Sequence, residues 1–193
     1  MKYLAAACLL FVLFFGGCDS DLSVSTKQWE TGSDGFEQFY TNDSQYYDYY
    51  FWNLYNSING PDTYQIECKK LSGSNKYAYG MIFGASNSVN NRYYYINITV
   101  TGSFNIYKRI GDSYTMIKDW TESDELNTGY NVINTIKVTR AGTTYTVYLN
   151  GAEVHEFTDA PVIGNRVGYI AYVGLREHES FPNTPVDVRF RQK

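Results

Sequence analysis

Four two-residue turn signals separate consecutive β-prone runs in this sequence, and they constrain the fold more than any other feature. They are Thr101-Gly102, Gly111-Asp112, Ala141-Gly142 and Asn150-Gly151. Asn-Gly is the strongest, because both residues tolerate the positive φ of a type I′ turn. Strands joined by turns this short pair as antiparallel neighbours. We therefore predict a series of hairpins.

Short segments rich in β-branched and aromatic residues recur along the chain, whereas the sequence shows no internal repeat and no amphipathic helix longer than a turn or two. The composition of 20 Tyr and 11 Phe against 3 Met also favours pleated surfaces. Tyr and Asn enrichment fits either a sugar-binding surface or the bias of an AT-rich genome. Eleven strands are predicted, at 47–52, 64–71, 77–85, 93–100, 104–110, 114–120, 135–140, 143–149, 153–157, 166–173 and 186–191.

Alternation with a period of two assigns a face to several of these strands. One-sided burial of this kind is what a two-sheet sandwich requires. The residues predicted to point inward are Ile136, Val138, Tyr145, Val147, Leu149, Val186, Val188 and Phe190. Those predicted to point outward are Lys137, Thr139, Thr144, Thr146, Tyr148, Asp187, Arg189 and Arg191.

The first residues have the pattern of a leader peptide. Lys2 precedes an apolar run over 4–15, which is shorter than the roughly 20 residues that a membrane-spanning helix needs. The segment Phe15-Gly16-Gly17-Cys18 resembles the lipobox of bacterial lipoproteins, although Phe15 departs from the usual aliphatic residue. We expect a signal peptide at 1–17, a lipidated Cys18 that begins a tether at 18–28, and an extracytoplasmic domain at 29–193. The alternative is a conventional secretory signal, with Cys18 an incidental thiol.

Cysteine content and charge argue against an intramolecular disulfide and against a nucleic-acid partner. If Cys8 leaves with the leader and Cys18 carries lipid, Cys68 has no partner for an intramolecular disulfide, and we expect it to pack as a small buried residue. Loss of Lys2 leaves 15 Lys and Arg against 20 Asp and Glu. An acidic chain of this kind does not suggest a nucleic-acid partner.

An ordered series of segments carries a resemblance to a known fold family. The segments are YQIECK from Tyr64, YGMIFG from Tyr79, RYYYINI from Arg92, FNIYKR from Phe104, NTIKV from Asn134, YTVYLNGAEV from Tyr145 and RVGYI from Arg166. Together they resemble the strands of a concanavalin A-like lectin/glucanase jelly roll, nearest to its laminin-G-like and 3-keto-disaccharide hydrolase-like branches, over roughly residues 29 to 191. The resemblance implies an all-β, antiparallel two-sheet sandwich. Its function stays open, because this fold carries glycosidases, lectins and protein-binding domains.

The sequence contains few catalytic or metal-binding patterns. The Glu-x-Asp-x-Glu pattern of family 16 glycoside hydrolases, whose paired carboxylates perform the chemistry, is missing. Acidic groupings at 119–125 and 177–179 fall in predicted connections, and no catalytic residue is assigned. His155 and His178 lack zinc-ligand spacing. Calcium is the one metal left open as a cofactor, at Asp119, Glu122 and Asp124.

The remaining pattern favours binding. Alternation places Tyr93, Tyr95 and Asn97 on the outer face of one strand, and Asn105, Tyr107 and Arg109 on that of the next. Sugars bind such surfaces by stacking on rings and bonding to amide and guanidinium groups. We predict a glycan site at Tyr95, Asn97, Asn105, Tyr107 and Arg109, with Trp120 as a possible stacking edge. Ordinary cross-strand tyrosine pairing explains the same pattern. A surface lipoprotein that binds a protein partner or serves structurally, and a glycoside hydrolase-like enzyme, are the alternative functions.

Overall fold

The computed structural model describes residues 29–60, 62–86, 92–160 and 164–193. The predicted signal peptide, Cys18 and the tether lie outside the described residues. Thirteen strands and one 3₁₀ turn, Ser44–Tyr46, are present in the described part. The strands are β1 (Trp29–Thr31), β2 (Glu37–Thr41), β3 (Tyr49–Asn56), β4 (Thr63–Ser72), β5 (Tyr79–Ala85), β6 (Arg92–Ile98), β7 (Ser103–Ile110), β8 (Ser113–Glu122), β9 (Asn134–Ala141), β10 (Thr144–Leu149), β11 (Ala152–Thr158), β12 (Arg166–Val173) and β13 (Val186–Gln192).

The strands form two antiparallel sheets, which confirms the predicted fold class. One sheet has the order β1-β2-β13-β4-β9-β10-β11, and the other has the order β3-β12-β5-β6-β7-β8. In the described ranges, no helix is long and apolar enough to cross a membrane.

The short turns make hairpins, as predicted. Asn150 and Gly151 both have positive φ, 51° and 96°, so Leu149 pairs directly with Ala152 across the β10–β11 turn. Gly111, with φ 59°, closes the β7–β8 hairpin in the same way. Short connections of this kind fix the orders β6-β7-β8 and β9-β10-β11 within the two sheets.

The core lies between the two sheets. All eight residues predicted to point inward from β9, β10 and β13 are buried there, against Tyr79, Phe83, Ile96 and Phe104 of the other sheet. Burial of each large apolar side chain contributes about 1.5–3 kcal/mol to stability. Cys68 belongs to this core, as predicted, and burial raises the pKa of its thiol.

Two features differ from the sequence prediction. The strands β1 and β2 were not predicted, because β2 reads Glu-Gln-Phe-Tyr-Thr and buries only Phe39 and Thr41. The strand β8 runs on to Glu122, so Asp119 and Glu122 lie on a strand and not in a connection. A bulge opposite Phe104–Ile106 lets the longer β8 stay paired with β7.

Candidate functional site

A groove of about 430 Å³ lies on the outer face of the six-stranded sheet. Alternation along β7 creates this face, since Phe104 and Ile106 enter the core while Asn105 and Tyr107 point away from it. Five of the predicted site residues line the groove together: Tyr95, Asn97, Asn105, Tyr107 and Trp120. Their contact with a ligand stays a prediction.

The floor of the groove is small and polar. Strand register places Ile170, Gly80, Asn97 and Asn105 side by side on β12, β5, β6 and β7. Gly80 contributes no side chain, and a β-carbon there would lie 1.9 Å from the carbonyl oxygen of Ile96. No side chain fits at this position, because the backbone of β6 lies directly against Gly80.

The two floor amides are bonded to each other. Asn97 Nδ2 donates to Asn105 Oδ1 at 3.0 Å, and both side chains are buried. Asn97 Oδ1 and Asn105 Nδ2 have no protein partner among the described residues. The pair thus offers one acceptor and one donor side by side, a pattern that suits the hydroxyls of a sugar.

One wall of the groove consists of aromatic residues from β6, β7 and β8. The rings of Tyr95 and Tyr107 stack with centroids 5.4 Å apart and an interplanar angle of 9°. Tyr95 is only 8% exposed, so it is more buried than the surface residue that the sequence suggested. Trp120, at the end of the groove on the edge strand β8, is 47% exposed.

Arg109 lies outside the groove lining, and its contact with a ligand stays a prediction. Its Nε donates to the carbonyl oxygen of Gly111 at 2.7 Å, and its Nη1 donates to the hydroxyl of Tyr93 at 3.2 Å. The guanidinium carbon lies 5.0 Å from the ring centroid of Tyr114, which does line the groove. Arg109 therefore supports the aromatic wall from behind.

The opposite wall contains none of the predicted site residues. It consists of Tyr50 on β3, Tyr172 on β12 and Tyr77 in the β4–β5 connection. The rings of Tyr50 and Tyr172 stack at 4.3 Å, and Tyr77 meets Tyr172 edge-on at 5.1 Å. The Tyr172 hydroxyl donates to the carboxylate of Asp48. Aromatic surfaces therefore flank the amide floor on both sides.

Tyr77 is held in place through its hydroxyl. That oxygen accepts from the backbone N–H of Leu175 at 3.1 Å and also contacts Nδ1 of His178. The ring lies against Gly174, where any side chain would collide with it. This wall of the groove is therefore fixed before any ligand arrives.

The connection that carries Tyr77 is braced by buried charges. Lys70 is 1% exposed, and its Nζ donates to the carbonyl oxygens of Ser74 and Tyr77 at 2.6 and 3.2 Å. Glu179 accepts from the backbone N–H of Ser74 at 2.9 Å. Burial lowers the pKa of Lys70 to about 8, although the Glu179 carboxylate opposes the shift. These contacts give Glu179 a structural role.

The acidic residues do not assemble a metal site in the described ranges. No group of three or more His, Cys, Asp or Glu side chains converges there, so the calcium candidates Asp119, Glu122 and Asp124 stay apart. Glu177 is exposed on the β12–β13 connection. Among the described residues that line the groove there is no Asp or Glu. They therefore include no counterpart to the paired carboxylates of a glycosidase.

No protein-family profile and no curated protein matches the sequence. Solved structures do match. A carbohydrate-binding module, CBM66 from Bacillus subtilis, is 13% identical, with a TM-score of 0.55 over 86% of this chain and 96% of that one. A β-glucanase from Bacillus licheniformis is 10% identical, with a TM-score of 0.61 over 91% and 85% of the two chains.

A third match is a family 16 glycoside hydrolase encoded in the mixed-linkage glucan locus of Bacteroides ovatus. It is 10% identical, with a TM-score of 0.60 over 89% of this chain and 88% of that one. Identities this low establish the fold and nothing finer. The chain has the concanavalin A-like jelly-roll fold that these carbohydrate-binding and glucan-hydrolysing proteins share.

Proposed function

We propose that this protein is a non-catalytic carbohydrate-binding module, held at the outside of a bacterial membrane by lipid on Cys18. The groove on the six-stranded sheet is its binding site. The observation that carries the proposal is the amide pair Asn97 and Asn105 on a floor between two tyrosine walls. Rings bind the C–H faces of sugars, while amides bond to the hydroxyls.

Shape supports the same proposal. The groove crosses the sheet from Tyr50 on the edge strand β3 to Trp120 on the edge strand β8. Five strand spacings of about 4.8 Å separate these two edge strands by roughly 24 Å, a sheet width that exceeds a single sugar ring. A segment of an oligosaccharide is therefore the ligand that we propose. The named neighbours, a carbohydrate-binding module and two glucan hydrolases, are consistent with such a ligand.

The absence of acidic residues from the described lining favours binding over hydrolysis. A glycosidase of the common type needs an acid and a nucleophile or base about 5 to 9.5 Å apart. Glu122 at the end of β8 and Glu177 on the far connection are the residues that a hydrolase hypothesis would require. Hydrolysis of a bound glycan that is abolished by Glu122→Gln or Glu177→Gln would replace the binding proposal with an enzymatic one.

A glycan array probed with detergent-purified protein tests the proposal directly. We expect binding to a defined set of oligosaccharides that is lost in Asn105→Ala. The matched control is Thr146→Ala, a polar residue on the outer face of the other sheet, which should bind as the unchanged protein does. A folded protein that binds no glycan would leave the alternative of a protein partner or a structural role.

A further inference from the structure

We infer that the groove takes a polysaccharide that bears carboxylate groups. A sugar carboxylate would accept hydrogen bonds from hydroxyls of the groove tyrosines, which are Tyr50, Tyr95, Tyr107 and Tyr114. This inference rests on the proposed carbohydrate-binding function and specifies the class of ligand.

Several phenols of the groove lie close enough to interact. Tyr95 stacks on Tyr107, and both line the groove with Tyr50 and Tyr114. Burial, followed by the neighbouring phenols of Tyr107 and Tyr114, raises the pKa of Tyr50 to about 12. Tyr50 comes from β3 and the other three from β6 to β8, so tyrosines of both walls line the same groove. Burial also raises the pKa of Tyr95, so Tyr50 and Tyr95 are protonated donors at neutral pH.

An ionised carboxylate is the complement of such a cluster. It only accepts hydrogen bonds, and its two oxygens offer about four acceptor sites. Hydrogen bonds from hydroxyls to a charged acceptor are roughly twice as strong as those between neutral groups. The hydroxyl of Tyr107 now contacts the sulfur of Met116 at 3.5 Å, a weak acceptor that a carboxylate would displace.

A buried cation lies against the ring of Tyr114. Arg109 is 4% exposed, and its guanidinium lies over the ring of Tyr114 and bonds to Tyr93. Its carboxylate partner, Asp112, is 3.6 Å away and has a fully exposed side chain, so solvent screens that negative charge more than the positive one. The field at this end of the groove therefore favours an anion.

The rest of the lining does not oppose an anion. The chain as a whole is acidic, with 20 Asp and Glu against 16 Lys and Arg. Among the described residues that line the groove, however, the only charged side chain is that of Lys76. Nearby carboxylates already have partners: Asp48 accepts from Tyr172, and Asp119 accepts from the backbone of Trp120. Glu179 lies behind the wall with Lys70.

Pairs of polymers that differ only in their carboxylates test the inference. Polygalacturonate and alginate would each be compared with their methyl esters by titration calorimetry at pH 7, using the full-length protein in detergent. We expect at least one acid to bind about tenfold or more tightly than its ester, as charge-assisted bonds would produce. The double variant Tyr107→Phe/Tyr114→Phe keeps both rings but lacks both hydroxyls, so its affinities for the acid and for the ester should become equal within about twofold.

The outcomes separate the two proposals. Equal affinity for each acid and its ester, or binding confined to neutral glycans on the array, overturns the inference and leaves carbohydrate binding intact. A preference for the acid that survives in the double variant also overturns it, because the hydroxyls would then play no part. Failure to bind any glycan overturns both.

Discussion

The ring of Tyr77 occupies the space that a side chain on residue 174 would fill. A β-carbon on Gly174 would lie 1.7 Å from Cε2 of that ring, which is far inside van der Waals contact. Tyr77 sits in the β4–β5 connection and Gly174 follows β12, so the contact joins two distant parts of the chain at one wall of the groove.

Substitution of Gly174→Ala should therefore move Tyr77. We expect the free energy of unfolding to fall by about 1–3 kcal/mol, as overpacking usually costs, and glycan affinity to fall with it. In a Tyr77→Ala background the same substitution should cost less than about 0.5 kcal/mol, because the colliding ring is gone. Urea denaturation of the four proteins measures the cycle. An equal cost in both backgrounds would show that the ring is not what excludes a side chain at 174.

Exposure separates the roles of three aromatic residues in the groove. Trp120→Ala should cost under about 1 kcal/mol of stability, since the side chain is 47% exposed, while glycan affinity falls about tenfold. Tyr95→Ala should cost about 3–5 kcal/mol, because this ring is packed between its neighbours. Tyr107→Ala should cost an amount of stability between these two values, and it should lower glycan affinity as much as Trp120→Ala does. Thermal melts beside calorimetric titrations test this order, with Tyr148→Ala on the other sheet as the control.

Buried tyrosines should make the fold sensitive to alkali. Burial raises the pKa of Tyr50, Tyr64 and Tyr93 to about 12, whereas an unfolded chain loses these protons near pH 10. The folded state therefore binds more protons between pH 10 and 12. The stability that these groups contribute is complete below pH 10 and is lost across that window. Urea midpoints that stay constant from pH 10 to 11 would contradict the prediction.

The titration of Lys70 should have the opposite effect on stability, and at a lower pH than that of the tyrosines. Its pKa is about 8 in the folded protein and near 10.5 when unfolded, so the unfolded chain binds the extra proton between these values. The contribution of Lys70 to stability should therefore rise as pH increases from 8 toward 10. Lys70→Met removes this group while keeping most of its volume. The difference in unfolding free energy between the two proteins should change with pH in this window, and a constant difference would be incompatible with a depressed pKa.

Membrane attachment should depend on Cys18. Cys18→Ser removes the thiol that would be acylated, so the variant should leave the detergent phase on phase separation while the unchanged protein stays in it. Cys68→Ser is the matched control, because that thiol lies in the core and should have no part in anchoring. A cleaved Cys18→Ser protein that still partitions with detergent would defeat the lipoprotein proposal.

Local sequence signals were sufficient for hairpins and faces but not for the whole site. Asn150-Gly151 and Gly111 closed the turns that they predicted, and alternation in β6 and β7 put Asn97 and Asn105 on one face. Half of the groove comes from strands that no short turn connects. Tyr172 on β12 reaches the groove because β12 pairs with β3 and β5, which lie far from it in sequence.

Arg109 shows a second limit of sequence patterns. Alternation gave its face correctly but could not show that the guanidinium folds back to Gly111 and Tyr93. Such bonds depend on where a neighbouring turn and a cross-strand hydroxyl come to lie. The strand β2 was missed for a related reason: its partner β13 makes it a strand, while its own residues are mostly polar.

The place where the chain joins the sandwich also determines how the domain responds to force. It enters at β1, whose three residue pairs with β2 are Trp29 with Phe39, Glu30 with Gln38, and Thr31 with Glu37. We expect a pull from the N-terminal side to load this edge first, because edge elements with few contacts unfold locally at low cost. The groove belongs to the other sheet. Tension on the N-terminal side would therefore detach β1 from β2 and leave the structure of the groove unchanged.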